Sequence, residues 1–333
     1  MSALPLERAQ LRDATAPPER RGLARDGVAL LFTQRATGAH RHAKFTDLPS
    51  LLDDGDLAIV NDSATIPAAI EAVRPNGESV RLHVATAIDE RLWMVEPRGE
   101  ILLGEELQLA GGAGAVAIAP ADPQRPRLWY AWFQLPVPMY AYLARFGKPI
   151  AYAHAPQPFP LSDYQTMFAR EAGSSEMPSA ARPFTPRVVR ALRRRGVGIA
   201  AITLHCGVSS FELPERPATE RFTVGPVAAA AVNRARREGR RVIAVGSTVV
   251  RALESAARDG AVVAASGWTS LVVDERHPPV VSGGLITGFH DAGATHQSML
   301  RAFLPAQVLA SAYVEAAERG YLRHEFGDVH LIA

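Results

Sequence analysis

The sequence predicts an α/β protein: a layered α/β catalytic domain interrupted by a small antiparallel all-β insert. Two observations carry this. From residue 186 onward, apolar runs of strand length alternate with helical patterns, as expected of a sheet flanked by helices. Between residues 71 and 135, short alternating runs recur between turn signals, the texture of an antiparallel sheet or small barrel. Length agrees, because 333 residues exceed one ordinary domain. The expected division is a discontinuous α/β domain, 1–70 with 136–333, and an inserted domain, 71–135.

Each element has its own signal. Disorder is expected nowhere beyond the first twenty residues, which are polar and proline-containing through Pro17-Pro18-Glu19-Arg20-Arg21. They hold no long apolar run, so no secretory signal is expected. Residues Asp56 to Val60 read as a buried strand that ends in the polar Asn61-Asp62-Ser63. Ile66-Pro67-Ala68 then resumes in extended form, since proline fixes φ and lacks a donor. In the insert, strands are expected at Val80 to Val84, Leu92 to Val95 and Leu128 to Phe133, with turns such as Pro75-Asn76-Gly77 and Gly111-Gly112-Ala113-Gly114. Residues 136–180 are irregular and proline-rich apart from a helix around Val137 to Phe146, and long irregular segments are often functional.

Beyond them, Pro186 to Arg195 is a helix with proline at its start and Gly196 at its end. A strand at Ile199 to Leu204 and a helix at Val227 to Glu238 follow. Arg241 to Val245 is a strand leading through Gly246-Ser247-Thr248 into a helix expected to run to Arg258. Gly267 to Val273 is a further strand, and Thr295 to Phe303 and Leu304 to Glu318 are helical.

Composition narrows the class. An apolar share of 47% and a charged share of 21% belong to a globular chain with a sizeable core. The most apolar runs, such as Val242 to Val250, are too short to span a bilayer, so no membrane is expected. The single cysteine, Cys206, excludes an internal disulfide framework and a multi-cysteine metal site and fits a cytoplasmic protein. It reads as a small buried residue rather than a nucleophile. No His-x-x-x-His spacing marks a zinc helix, so no metal is expected. The net charge of +2 hides two arginine clusters: Arg182, Arg187, Arg190, Arg193, Arg194 and Arg195, then Arg234, Arg236, Arg237, Arg240 and Arg241. Either could contact phosphates or be a solvated helix face.

Four strand ends are polar, and in α/β folds ligands sit beyond the carboxyl ends of strands. They are Asn61-Asp62-Ser63, His205-Cys206-Gly207, Gly246-Ser247-Thr248 and Thr287-Gly288-Phe289-His290. Gly246-Ser247-Thr248 before a helix can cradle a carboxylate or phosphate, or simply cap the helix. It is neither a Walker A loop nor part of a Gly-x-Gly-x-x-Gly turn. His205 and His290 each stand just past an apolar strand, where an imidazole can act as acid, base or donor, or can be structural. Arg251 and Glu254, three apart on one helix face, are a ligand-facing arginine with its neighbour or a simple surface pair.

These segments occur in one order with Phe45-Thr-Asp-Leu48, Gly55-Asp56-Leu57, Tyr164-Gln165-Thr166, Gly173-Ser174, Phe184-Thr185, Gly267-Trp268-Thr269, Thr295 and Phe326-Gly327-Asp328. In that order the chain, from about residue 45 to its end, resembles the S-adenosylmethionine:tRNA ribosyltransferase-isomerase family of queuosine biosynthesis. The resemblance implies an α/β domain with an inserted β-barrel. It also implies transfer and isomerisation of the ribosyl group of S-adenosylmethionine onto an aminomethyl-deazaguanine in tRNA, with adenine and methionine released. S-adenosylmethionine is then a substrate, and no cofactor is required. His205, His290 and Asp62 become the catalytic candidates. Asn61, Tyr164, Gln165, Thr166, Phe184, Gly246, Ser247, Thr248, Arg251, Glu254, Thr295 and Asp328 become the substrate-binding candidates, with Arg251 and Gly246 to Thr248 for the methionine carboxylate. A monomer is expected.

Departures keep two other readings open. The family's usual motif histidine is Pro183 here, two usual arginines are Ala64 and Ala69, and a usual lysine is Gly293. Cationic contacts dominate tRNA affinity. A paralogue that uses the same donor on a small-molecule amine, or only cleaves it, is the first alternative. A non-catalytic tRNA- or nucleoside-binding descendant is the second.

Overall fold

In a computed structural model, the structure describes residues 10–123, 125–208, 215–291 and 295–333. Its centre is a nine-stranded mixed sheet in the order Ala265–Thr269, Glu220–Val224, Gly198–Leu204, Leu57–Asn61, Val242–Val245, Gly284–Gly288, Val329–Ile332, Ala29–Thr33, His40–Lys44. The four strands from Gly198–Leu204 to Gly284–Gly288 run parallel and therefore end at one edge. Both faces of this middle are covered, which is why Leu57–Asn61 and Val242–Val245 are apolar or buried at every position. Leu57 and Ile59 point into one core with the helices Pro226–Arg237, Ser247–Ser255, Thr295–Arg301 and Ala306–Glu318. Ala58 and Val60 point into the other, with Phe45, Leu48 and the helix Pro186–Arg194.

The insert is a closed six-stranded antiparallel barrel. Its strands run in chain order from Ala69–Val73 through Ser79–Ala87, Leu92–Pro97, Glu106–Leu109 and Ala113–Pro120 to Trp129–Gln134. Val80, Leu82, Val84, Trp93, Val95 and Phe133 fill it, and Tyr142 and Leu143 of the helix Met139–Phe146 pack against that core. Closure removes the exposed edges an open sheet of this size would carry. The barrel docks on the main body through Ser175, whose hydroxyl donates to the carbonyls of Val84 (2.6 Å) and Ala85 (2.8 Å).

Two expectations are corrected. The helix after Thr248 stops at Ser255, not Arg258. Ala257–Arg258 instead pairs with Ala261–Val262 across Asp259 and Gly260, both at positive φ (46° and 79°). An Asp-Gly pair favours that two-residue hairpin over another helical turn. Nor does the segment before residue 21 lack structure throughout: Arg12–Asp13 pairs in parallel with Leu322–Arg323, and Ala14 is buried with Phe159, Tyr164 and Phe326. Among the described residues, no helix is long and apolar enough to cross a membrane.

Candidate active site

Beyond the carboxyl edge of the parallel strands, between the sheet and the barrel, lies a cavity of about 240 Å³. Three of the four polar strand ends contribute to its wall: Gly246, Ser247 and Thr248; Cys206; and Thr287, Gly288 and His290. Gly246 holds φ 99°, a conformation that side chains disfavour, and its amide donates to the Ile286 carbonyl at 2.8 Å. That turn aims the start of the helix Ser247–Ser255 at the cavity, where the first amides lack partners within the helix and the dipole favours an anion.

The wall also carries imidazoles. His290 shares a hydrogen bond with the Thr287 hydroxyl (3.1 Å) and stacks on His296, centroids 4.1 Å apart and planes 6° from parallel. Burial, then the neighbouring His296, pushes the His290 pKa well below the usual histidine range. Burial lowers His296 to about 4. His324 adopts φ 70°, rare for a residue with a side chain. It stacks on His154 at 4.0 Å, reaches Asp13 at 3.1 Å, and is pushed down by burial and by His154. The cavity wall thus presents neutral imidazoles at neutral pH. Its charged members are Arg127, Arg216 and Arg251 against Glu176, Glu215, Glu220, Asp291 and Glu325, an acidic excess that suits a cationic ligand.

Residues 215–218 cross the cavity from barrel to sheet, and arginines hold both ends. Arg127 of the barrel donates to Glu215 (2.7 and 2.9 Å), to Glu96 (3.0 Å) and to the Val208 carbonyl (3.2 Å). Arg125 donates to the carbonyls of Arg216 (3.0 Å) and Pro217 (2.9 Å). At the other end Arg251, 5% exposed, pairs with Glu220 and donates to the carbonyls of Leu271 (3.1 Å), Ala218 and Thr269 (3.0 Å each). Most of its guanidinium is spent on the protein, four of its five N–H groups donating to described residues. Glu254 does not pair with it. The Glu254 carboxylate accepts from the amides of Val280, Val281 and Ser282 instead.

The other candidates divide by position. Tyr164 lines the cavity, its phenol raised to about 12 by burial and by Glu325. Gln165 clamps Thr65, accepting from its amide (3.0 Å) and donating to its carbonyl (2.7 Å), so that Thr65 faces the cavity. Asn61 is fully buried and ties Leu204 and Ser63 together, its amide within 3.4 Å of the Thr248 hydroxyl. Thr166 caps Phe168, and Phe184 lies in the core between Phe45 and Phe168. Asp328 accepts from the amides of Ala29 and Leu322 (2.7 Å each), and burial raises its pKa. Thr295 opens the helix Thr295–Arg301. Its side chain lies outside the described residues, as does Gly293.

His205 and Asp62 stand apart from the cavity wall. The His205 ring shares a hydrogen bond with the Ser63 hydroxyl (2.8 Å), and burial, then Arg221, lowers its pKa. A β-carbon on Gly173 would come within 2.5 Å of that ring, so the glycine is what lets it sit there. Asp62 accepts from the Thr203 hydroxyl at 2.7 Å. Cys206 is buried beyond the same strand, its thiol pushed up by burial. Sequence reasoning missed His296, His324, Glu176, Tyr152 and Arg127. All five stand outside the central strands, Arg127 just before the last barrel strand, where no strand end points to the cavity.

Comparison with known proteins shows the family. A family model described as "Queuosine biosynthesis protein" matches residues 6–332. An S-adenosylmethionine:tRNA ribosyltransferase-isomerase from Moorella thermoacetica is 35% identical, covering 92% of this chain and 93% of the relative. One from Thermus thermophilus is 33% identical over 98% of this chain and all of the relative. The solved structure of an S-adenosylmethionine tRNA ribosyltransferase from Thermotoga maritima shares the fold, with a TM-score of 0.56, 24% identity and 97% of this chain and 98% of that chain covered. With the model matched over almost its whole length and such relatives over more than nine-tenths of it, the chain belongs to the S-adenosylmethionine:tRNA ribosyltransferase-isomerase family of queuosine biosynthesis.

Proposed function

We propose that this chain transfers and isomerises the ribosyl group of S-adenosylmethionine onto an aminomethyl-deazaguanine in tRNA, releasing adenine and methionine. The observation that carries it is one cavity that joins a helix N-terminus to an acidic, imidazole-rich wall. The helix start at Gly246 to Thr248 suits the methionine carboxylate. The carboxylates of the wall suit the sulfonium and ammonium, since the donor carries a net positive charge.

The chemistry then assigns work to the residues. A sulfonium acidifies the adjacent C5′ protons, and His290, unprotonated through burial, accepts one. Those electrons form a C4′–C5′ double bond as the C4′–O4′ bond breaks, O4′ becomes the carbonyl oxygen on C1′, and the bond to adenine breaks, adenine leaving with a proton. The acceptor amine adds to C4′ and loses a proton, the C5′ electrons so restored bond to C1′ to close the carbocycle, and the oxygen left on C1′ attacks C5′, forming the epoxide as the carbon–sulfur bond breaks and methionine leaves. Arg251 acts mainly as a positioning residue, holding residues 218–220 against the helix start. No group of three or more His, Cys, Asp or Glu side chains among the described residues is arranged to hold a metal. A tRNA-directed reaction is cytoplasmic work, which the lone buried cysteine suits.

The test is incubation with S-adenosylmethionine, with and without acceptor tRNA, reading adenine and methionine by mass spectrometry. Adenine that appears only with tRNA is the expected result. Adenine without tRNA would move the reading to donor cleavage or a small acceptor, and no donor binding in calorimetry would end it.

A further inference from the structure

At one end of the main sheet, the strands Glu220–Val224 and Ala265–Thr269, with the last residues of Gly198–Leu204, bury only one face. Leu204, Phe222 and Val224 point into the core. On the other face, register puts Thr203, Thr223 and Ser266 in one row. The next row is Arg221 opposite Trp268, with His205 joined to Arg221 by its amide (3.0 Å to the Arg221 carbonyl). Arg221, Thr223, Ser266 and Trp268 are exposed, and Thr203 and His205 are half-buried. Neighbouring strands are about 4.8 Å apart, so the row from His205 to Trp268 spans roughly 10 Å.

This face borders the donor cavity. Along each strand successive side chains point to opposite sides, and the next residues turn the other way: Cys206 and Glu220 line the cavity, and Thr269 is buried against Ser255. What the face offers is specific. Trp268 leaves 47% of its surface open, and nearby Tyr140 leaves 43%. The Arg221 guanidinium makes no ion pair among the described residues. Asp62 and Glu171 flank the His205 end, so the face accepts anions at its Arg221 and Trp268 end. An open aromatic beside an arginine with no ion pair among the described residues, and a row of hydroxyls, is complementary to unstacked bases and their phosphates, not to a duplex.

We propose that this face docks the single-stranded loop of the acceptor RNA, stacking a base on Trp268 and taking a phosphate on Arg221. The inference rests on the tRNA-directed reading of the cavity and assigns where that acceptor lies. It also gives His205 and Asp62, which the donor cavity does not use, a position beside the incoming loop.

The test is binding of an RNA hairpin with a single-stranded loop, against a blunt duplex of the same stem, alongside steady-state kinetics with tRNA. Trp268→Ala should weaken hairpin binding and raise KM for tRNA at least about fivefold, with KM for S-adenosylmethionine unmoved. Trp268→Phe, which keeps a ring, should recover most of the loss. Arg221→Ala should lower the slope of log affinity against log salt by about 0.7 to 0.9. Unchanged hairpin binding and KM for tRNA in both Trp268→Ala and Arg221→Ala would overturn the proposal. So would equal losses on the blunt duplex. Sedimentation showing a dimer that Trp268→Ala dissolves would assign the face to a second copy and overturn it too. The hairpin arm reads this surface whether or not adenine is released, so its failure is distinct from failure of the activity.

Discussion

His290 and His205 follow strands of the same sheet, yet their rings serve different spaces. His290 opens into the cavity, whereas His205 turns toward Ser63 and Arg221. His290→Gln should therefore cut kcat by about 10² to 10⁴ while calorimetry still registers donor binding. The sign of the pH effect follows from burial. A lowered pKa keeps the imidazole neutral to lower pH, and a base works when neutral. The rate should not fall as pH drops from 8 through the ordinary histidine value, and should fail only in more acid solution. A pH–rate limb near 6.5 in kcat would contradict this assignment. The sequence offered both histidines as equals, because a strand end reveals proximity to the site but not which way the next side chain turns.

At the scale of elements, the helix Ser247–Ser255 is organised around one buried ion pair. Breaking a buried pair from one side costs about 3–5 kcal/mol, so Arg251→Ala should lower unfolding free energy in urea by that order. Arg251→Lys should recover little, because an ammonium cannot reach Glu220 and three carbonyls in different directions. A lysine variant as stable as the parent would show that the fork is dispensable. The helix pattern in this stretch was legible up to Glu254, but its stop was not. The positive-φ pair Asp259-Gly260 outweighs helix propensity in Ala256 to Arg258. The barrel was legible from turn spacing alone, whereas its contribution to the cavity was not. Arg127 lies two residues before the Trp129–Gln134 strand and reads locally as a surface charge.

Across the whole molecule, the arginine-rich stretches prove to be dispersed. Arg182 is buried against Glu19 and the Asp163 carbonyl, and Arg187 is bound by Asp26. The helix Pro186–Arg194 runs down to Gly196, whose carbonyl accepts from Gly55 at the amino edge of the strands, away from the cavity. Replacing Arg193, Arg194 and Arg195 together should leave KM for tRNA within about twofold, since surface charges far from a site are screened within roughly 10 Å. A tenfold rise would restore that edge as a docking surface. Stability has its own pH signature. Burial holds His296 near 4 and His330 near 3, below their unfolded values. No contribution is lost above the unfolded pKa, and stability falls as pH drops from about 6.5 toward 4 and below, because the unfolded chain binds the extra protons. Each tenfold difference in proton affinity weighs about 1.4 kcal/mol, so urea midpoints should decline over that window. A midpoint flat from pH 7 to 4 would show that these rings are not held neutral.

The parallel pairing of Ala29–Thr33 with Val329–Ile332 also sets a timetable. On a ribosome the first strand emerges about 300 residues before its neighbour, which at 5–20 residues per second is a delay of roughly 15–60 s. Throughout that interval the hairpin Ala29–Thr33 with His40–Lys44 has an open hydrogen-bonding edge and no partner for it. A nascent chain stalled before Val329 should therefore present that hairpin to proteases and to chaperones, while the barrel, complete by Gln134, is already sealed.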